Sequence, residues 1–122
     1  MKTVNILQKF DLFNAHWTPK IIGECNGQHI KIAKVKDSFV WHAHADEDEL
    51  FMVYKGTLYI ELRNNITVSI APGEMYIVPK GTEHRPYTDG EEVWILMFEP
   101  AGTLNTGNAE AHDRTVAAPE RL

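Results

Sequence analysis

The side chains best suited to chemistry lie in WHAHADEDELF, residues 41–51. His42 and His44 are two residues apart, so on an extended strand their imidazoles point to the same face and can converge on one centre. Asp46, Glu47 and Asp48 fall where the chain should turn and read as solvated charges. Glu49 opens the apolar run LFMVY (50–54) and is expected on the adjacent strand, about 5 Å across the sheet. A carboxylate at the head of a buried strand needs a counter-charge, because leaving it unpaired costs several kcal/mol. A metal ion held by the two histidines would supply that charge. His84, in TEHRP after the PKG turn at 79–81, offers a third imidazole. Three imidazoles and one carboxylate suit Fe, Mn, Co, Ni, Cu or Zn, whereas Ca²⁺ and Mg²⁺ prefer oxygen ligands. Four protein ligands on a six-coordinate ion leave two positions for water, dioxygen or a chelating substrate. A surface His–carboxylate cluster without metal accounts for the same spacing, and the residues alone leave both readings open.

The elements that must position these groups have a period of two. HIKIAKVK (29–36), LYIEL (58–62) and ITVSI (66–70) alternate apolar and polar residues, as half-buried strands do. LFMVY, MYIV (75–78) and VWILMF (93–98) are continuous apolar runs and read as strands buried on both sides. Turn chemistry separates them. YKGT (54–57) and RNN (63–65) suit tight hairpins, APGE (71–74) a type II turn, and PKG a type I turn with Pro79 first inside. Seven or eight short strands with no amphipathic helix between them predict an all-β sandwich or barrel. By alternation, Phe51 and Val53 share the face of Glu49, Pro86 and Thr88 share that of His84, and Arg85 points away. Trp41, Tyr59, Tyr76 and Trp94 either line a cavity or pack in the core. His16, His29 and His112 read as ordinary surface or structural histidines.

Bulk properties narrow the function classes. The 122 residues make one domain by length, with an N-terminal arm at 1–28 and a polar tail at 100–122 that is either mobile or laid over another surface. Lys and Arg number 12 against 17 Asp and Glu, a net charge of −5, so a phosphate backbone is repelled and nucleic acid is not an expected partner. No segment reaches the roughly 20 apolar residues of a membrane span. The first residues, MKTVNILQKFDLF, lack the apolar run of a signal peptide. A single cysteine, Cys25, forms no internal disulfide and fits a reducing compartment. A soluble cytoplasmic protein is expected.

The order His42-x-His44-x₄-Glu49-x₆-Gly56 resembles the first motif of the cupins, and Gly73-x₅-Pro79-x-Gly81-x₂-His84 resembles their second. The resemblance covers about residues 30–98 and implies a small jelly-roll β-barrel with one divalent transition metal ion on His42, His44, Glu49 and His84. Gly56, Gly73 and Gly81 correspond to turn glycines, and Pro79 to the residue ending the strand before the last ligand. Two positions depart from the pattern: Lys36 stands where the first motif usually begins with Gly, and Thr88 where the second usually ends with Asn. Neither is a ligand position.

A fold of this kind hosts many activities. The ligand set with open positions favours a small metal-dependent enzyme of dioxygenase, isomerase or lyase type, acting on a sugar, keto acid or phenol. The alternative is a non-catalytic module that binds or senses a small ligand, since no general base or nucleophile motif stands outside the ligand set. A homodimer is expected, because small barrels gain by pairing exposed edge strands across a two-fold axis.

Overall fold

The computed structural model describes residues 2–109 and 114–122. A short helix, α1 (Ile6–Phe10), is followed by nine strands: β1 (Lys20–Cys25), β2 (Gln28–Val35), β3 (Glu49–Lys55), β4 (Leu58–Leu62), β5 (Ile66–Ile70), β6 (Met75–Val78), β7 (His84–Tyr87), β8 (Val93–Pro100) and β9 (Glu120–Arg121). They form a six-stranded sheet of order β6-β3-β8-β2-β1-β9 and a three-stranded sheet of order β5-β4-β7. All pairings are antiparallel except β1 with β9. The result is a small jelly-roll barrel. No helix among the described residues is long and apolar enough to cross a membrane.

The core lies between the sheets. Ala33, Val35, Phe51, Val53, Val93, Ile95 and Met97 of the large sheet meet Leu58 and Ile60 of the small one, with Trp17 and Phe39 from the connections. The large sheet is covered on its other face as well. Phe10 of α1 is fully buried there with Ile22, Ile32 and Leu96, and its ring stacks on Trp94 with centroids 4.8 Å apart. Asn5 starts this helix by accepting a 3.0 Å hydrogen bond from the Gln8 N–H, an N-cap.

This second layer corrects two expectations. β2 alternates in sequence as a half-buried strand should, yet Lys31 and Lys34 are buried, because both faces of the sheet are covered. The Lys34 Nζ donates to the Phe13 carbonyl at 2.8 Å and lies 4.9 Å from the Trp94 ring centroid. β6 shows the opposite: MYIV is apolar throughout, yet Met75 and Ile77 are 60% and 47% exposed. Among the described residues it is an edge strand, paired with β3 alone.

The turns follow their chemistry with one change. Asn64 and Asn65 take φ of 66° and 60°, and Gly73 takes 83° at the third position of a turn closed by Glu74 N–H donating to the Ala71 carbonyl at 2.9 Å. At PKG the register is shifted from the expected type I turn. The Thr82 N–H donates to the Pro79 carbonyl at 3.2 Å, so Pro79 opens the turn and Gly81 sits third with φ 78°. That positive φ is what a type II geometry requires.

Candidate metal centre

His84 begins β7 and is fully buried. His42 and His44 lie outside the named strands, in an extended segment joined to β7 by one antiparallel bridge, His42 with His84. The two residues exchange backbone hydrogen bonds of 3.0 and 2.9 Å, and the His44 carbonyl accepts from Gly81 N–H at 2.7 Å. Between them Ala43 is held from the opposite side by the C-terminal tail. Its carbonyl accepts from Asn108 N–H at 3.0 Å, and its N–H donates to Asn108 Oδ1 at 2.8 Å. Alternating backbone partners thus fix a short stretch so that both imidazoles turn inward without a regular strand. The tail is laid over the barrel here, and a Cβ on Gly107 would overlap the Ala43 carbonyl.

Glu49 comes from β3 of the large sheet, where it pairs with Val78. It is therefore not a cross-strand neighbour of the histidines, as expected from sequence. It faces them across the interior, and the cluster bridges the two sheets. Candidate ligand atoms of His42, His44, Glu49 and His84 lie within 4.8 Å of one another, and all four residues are buried. Asp46, Glu47 and Asp48 stay outside, with Asp48 Oδ1 accepting from Lys80 N–H at 2.8 Å.

Two histidines are fixed in one orientation. The Nδ1 atoms of His42 and His84 lie 2.9 Å from the carbonyls of Val40 and Thr82, so each ring turns its Nε2 to the centre. The Nε2 atoms of His44 and His84 stand 3.4 and 3.5 Å from Glu49 Oε1, in poor geometry for hydrogen bonding. These three atoms are buried without a hydrogen-bond partner. Buried polar groups are seldom left so. A cation between them would satisfy all three at once, so the residues fit a transition metal ion.

The electrostatics agree with that donor set. Burial, assisted by the neighbouring His84, lowers His42 to about 4, so this ring is neutral at ordinary pH. Burial also works against a charged His44, but the adjacent Glu49 carboxylate outweighs it and raises the group. For Glu49, burial acts to raise the carboxyl, and its contacts with His44, His84 and Glu99 hold it well below the usual range. Glu99 itself is pushed up to about 9 by burial and by the charge of Glu49.

Sequence reasoning misses Glu99 and Lys31. Leu50 pairs with Phe98, so Glu49 and Glu99 come side by side on β3 and β8. Lys31 Nζ donates to Glu99 Oε1 at 2.9 Å, with both side chains 2% exposed. The one available signal is an acid, Glu99, ending the apolar run of β8. Trp17 and Phe39, stacked at 4.8 Å, are missed as well.

These two rings, with Val35, Phe51, Ile95 and Met97, wall an apolar cavity between the sheets that His42 and Glu49 also line. Pro86 lines it too, and Thr88 is buried on the same side of β7, as alternation predicts. Arg85 points away and pairs with Glu61 at 2.9 Å. Of the aromatics named from sequence, none lines this cavity: Tyr76 packs against the core, Trp94 lies on the outer face of the large sheet, Tyr59 stacks on Tyr87, and Trp41 carries Arg63 over its ring. His16 pairs with Glu92 at 2.7 Å, and His29 lies near Glu24 and Arg121; His112 is outside the described residues.

Comparison with known proteins agrees with this architecture. Residues 29–98 match the cupin domain model, and the chain belongs to the cupin family. The crystal structure of a cupin-2 domain protein from Shewanella frigidimarina is 47% identical, with a TM-score of 0.78 over 80% of this chain and 94% of that one. An uncharacterised protein of Bacillus subtilis, YdbB, is 36% identical over 64 residues, 52% of this chain and 57% of the relative. Acireductone dioxygenase of Drosophila melanogaster is 28% identical over 88 residues, 59% of this chain and 47% of the relative. The chain thus spans about half the length of these last two.

Proposed function

We propose that the protein is a metal-dependent enzyme acting on a small organic molecule, with His42, His44, Glu49 and His84 as ligands of one transition metal ion. The observation that carries this reading is the convergence of three partnerless buried atoms, His44 Nε2, His84 Nε2 and Glu49 Oε1, beside a cavity that His42 and Glu49 line. When bound, the ion supplies Lewis acidity, or redox chemistry if it is iron, manganese or copper. The chain's own part is positional. The Val40 and Thr82 carbonyls orient two imidazoles, the Lys31–Glu99 pair flanks Glu49, and apolar side chains wall the cavity beside them. Among dioxygenase, isomerase and lyase chemistry, the similarity to a dioxygenase of the fly favours the first.

A second reading, a non-catalytic ligand-binding module, is favoured by one feature. Among the described residues, no titratable side chain outside the ligand set lines the cavity. A small-molecule partner is common to both readings. Pairing into a homodimer is part of the proposal, supported by the exposed Met75 and Ile77 on edge strand β6. A cytoplasmic location is supported by the free, exposed Cys25.

The test is elemental analysis of protein purified without chelator, with His84→Ala prepared in parallel. Near one equivalent of a transition metal, lost in the variant, is expected. No metal after reloading with each ion in turn overturns the proposal. Turnover of a keto acid, phenol or diol that disappears in His44→Ala separates the enzyme from the binding module. A monomer in light scattering at micromolar concentration overturns the dimer.

A further inference from the structure

We infer that the molecule taken by this centre is apolar apart from the oxygen atoms that reach the metal. The inference rests on the proposed metal site and narrows its substrate class, setting sugars and polyols aside. Among the described residues, four polar side chains line the cavity: Trp17, His42, Glu49 and Asn105. The Trp17 Nε1–H already donates to the Lys36 carbonyl at 2.8 Å. Asn105 has both ends of its amide engaged, Nδ2 donating to the Arg114 carbonyl at 2.6 Å and Oδ1 accepting from Val116 N–H at 2.8 Å. His42 Nδ1 is engaged by Val40, and Glu49 Oε1 faces the two other imidazoles. Among these side chains, what remains for a ligand is the metal-binding set and the second Nδ2–H of Asn105, surrounded by Val35, Phe39, Phe51, Ile95 and Met97.

Such a wall receives methylene, methyl or aromatic carbon, and it leaves any hydroxyl placed against it without a partner. A sugar could use two hydroxyls on the ion and would strand the rest. Discrimination against an added hydroxyl in an apolar pocket reaches about 100-fold at most, so the expected preference is measurable but bounded.

The experiment uses the zinc-loaded full chain and two probes with one chelating head, butanohydroxamate and 3,4-dihydroxybutanohydroxamate. They share a four-carbon chain and a hydroxamate head and differ by two hydroxyls. Calorimetry is expected to show the apolar probe binding tighter by about 10- to 100-fold. Equal binding, or tighter binding of the dihydroxy probe, overturns the inference. Met97→Gln places an amide in the wall without touching the ligand set and is expected to narrow the gap to about three-fold or less. An unchanged gap also overturns it, since the preference would then arise elsewhere. Zinc content is measured first. If no zinc is taken up, each other ion is tried in turn; if none is taken up, the metal-site proposal fails by itself, and the wall is tested on metal-free protein with n-butanol against butane-1,2,4-triol, followed by the methyl NMR signal of Met97. A saturable shift with the alcohol at lower concentration supports the apolar wall. A shift with the triol at the same or lower concentration, or none with either, overturns it.

Discussion

At the scale of single residues the centre is a balance of charge in a buried space. Two acids, Glu49 and Glu99, lie on adjacent strands, and Lys31 Nζ donates to the second of them. With Glu99 pushed up to about 9 it is protonated near neutral pH, so Lys31→Met removes a buried hydrogen bond and not a full ion pair. The expected loss is about 1–3 kcal/mol of unfolding free energy, read by urea denaturation; a change below about 0.5 kcal/mol would show that the contact is dispensable. His44 makes a second prediction. Its metal-free pKa is raised above 6.5 while that of His42 is lowered to about 4, so near neutral pH a metal displaces a proton from His44 and not from His42. Affinity for Zn²⁺ should therefore weaken as pH falls from 8 to 6, with proton release visible as a buffer-dependent heat in calorimetry. An affinity constant across that range contradicts it. The four candidate ligand residues are legible in sequence because their types and spacing act locally. Lys31 is not, since alternation assigns it to solvent, and only the pairing of β2 with β8 places it beside Glu99.

At the scale of elements, the segment from His42 to His44 depends on two unlike supports, β7 on one side and the tail on the other. Strands β2 to β8 can be read from period and turn residues, because those signals reside in neighbours along the chain. The tail's role cannot, because residues 103–109 carry few apolar side chains and are placed by backbone bonds to Ala43. The origin of Glu49 is equally hidden: which of two sheets a strand joins is set by long-range pairing. Gly107 adopts φ 52° and abuts the Ala43 carbonyl. Gly107→Ala adds about 1–2 kcal/mol of left-handed strain to the overlap, and the two candidate ligands on either side of Ala43 should shift with it. A fall in Zn²⁺ affinity of about 10- to 100-fold is expected, the range for groups that orient metal ligands. Asn108→Ala should act in the same direction without steric overlap. Unchanged affinity in both variants would mean that β7 alone suffices.

Across the whole molecule, the candidate ligands divide between the two layers of the barrel. His84 belongs to the small sheet, with His42 bridged to it, and Glu49 to the large one. An ion bound there ties one layer to the other across the core. Metal at 100 times its dissociation constant should stabilise the fold by about 2.7 kcal/mol. Thermal unfolding should shift upward on loading and return on chelation, and Glu49→Gln should reduce the shift. If loading protects amides of only one sheet in hydrogen exchange, the tie between layers is absent.

The hold of the tail on Ala43 has a temporal meaning as well. All four candidate ligands are synthesised before residues 103–109, so a growing chain on the ribosome can present the histidines and Glu49 with the far side of Ala43 still unsupported. Docking of the later segment through Asn108 is then the last support that the His42–His44 stretch receives.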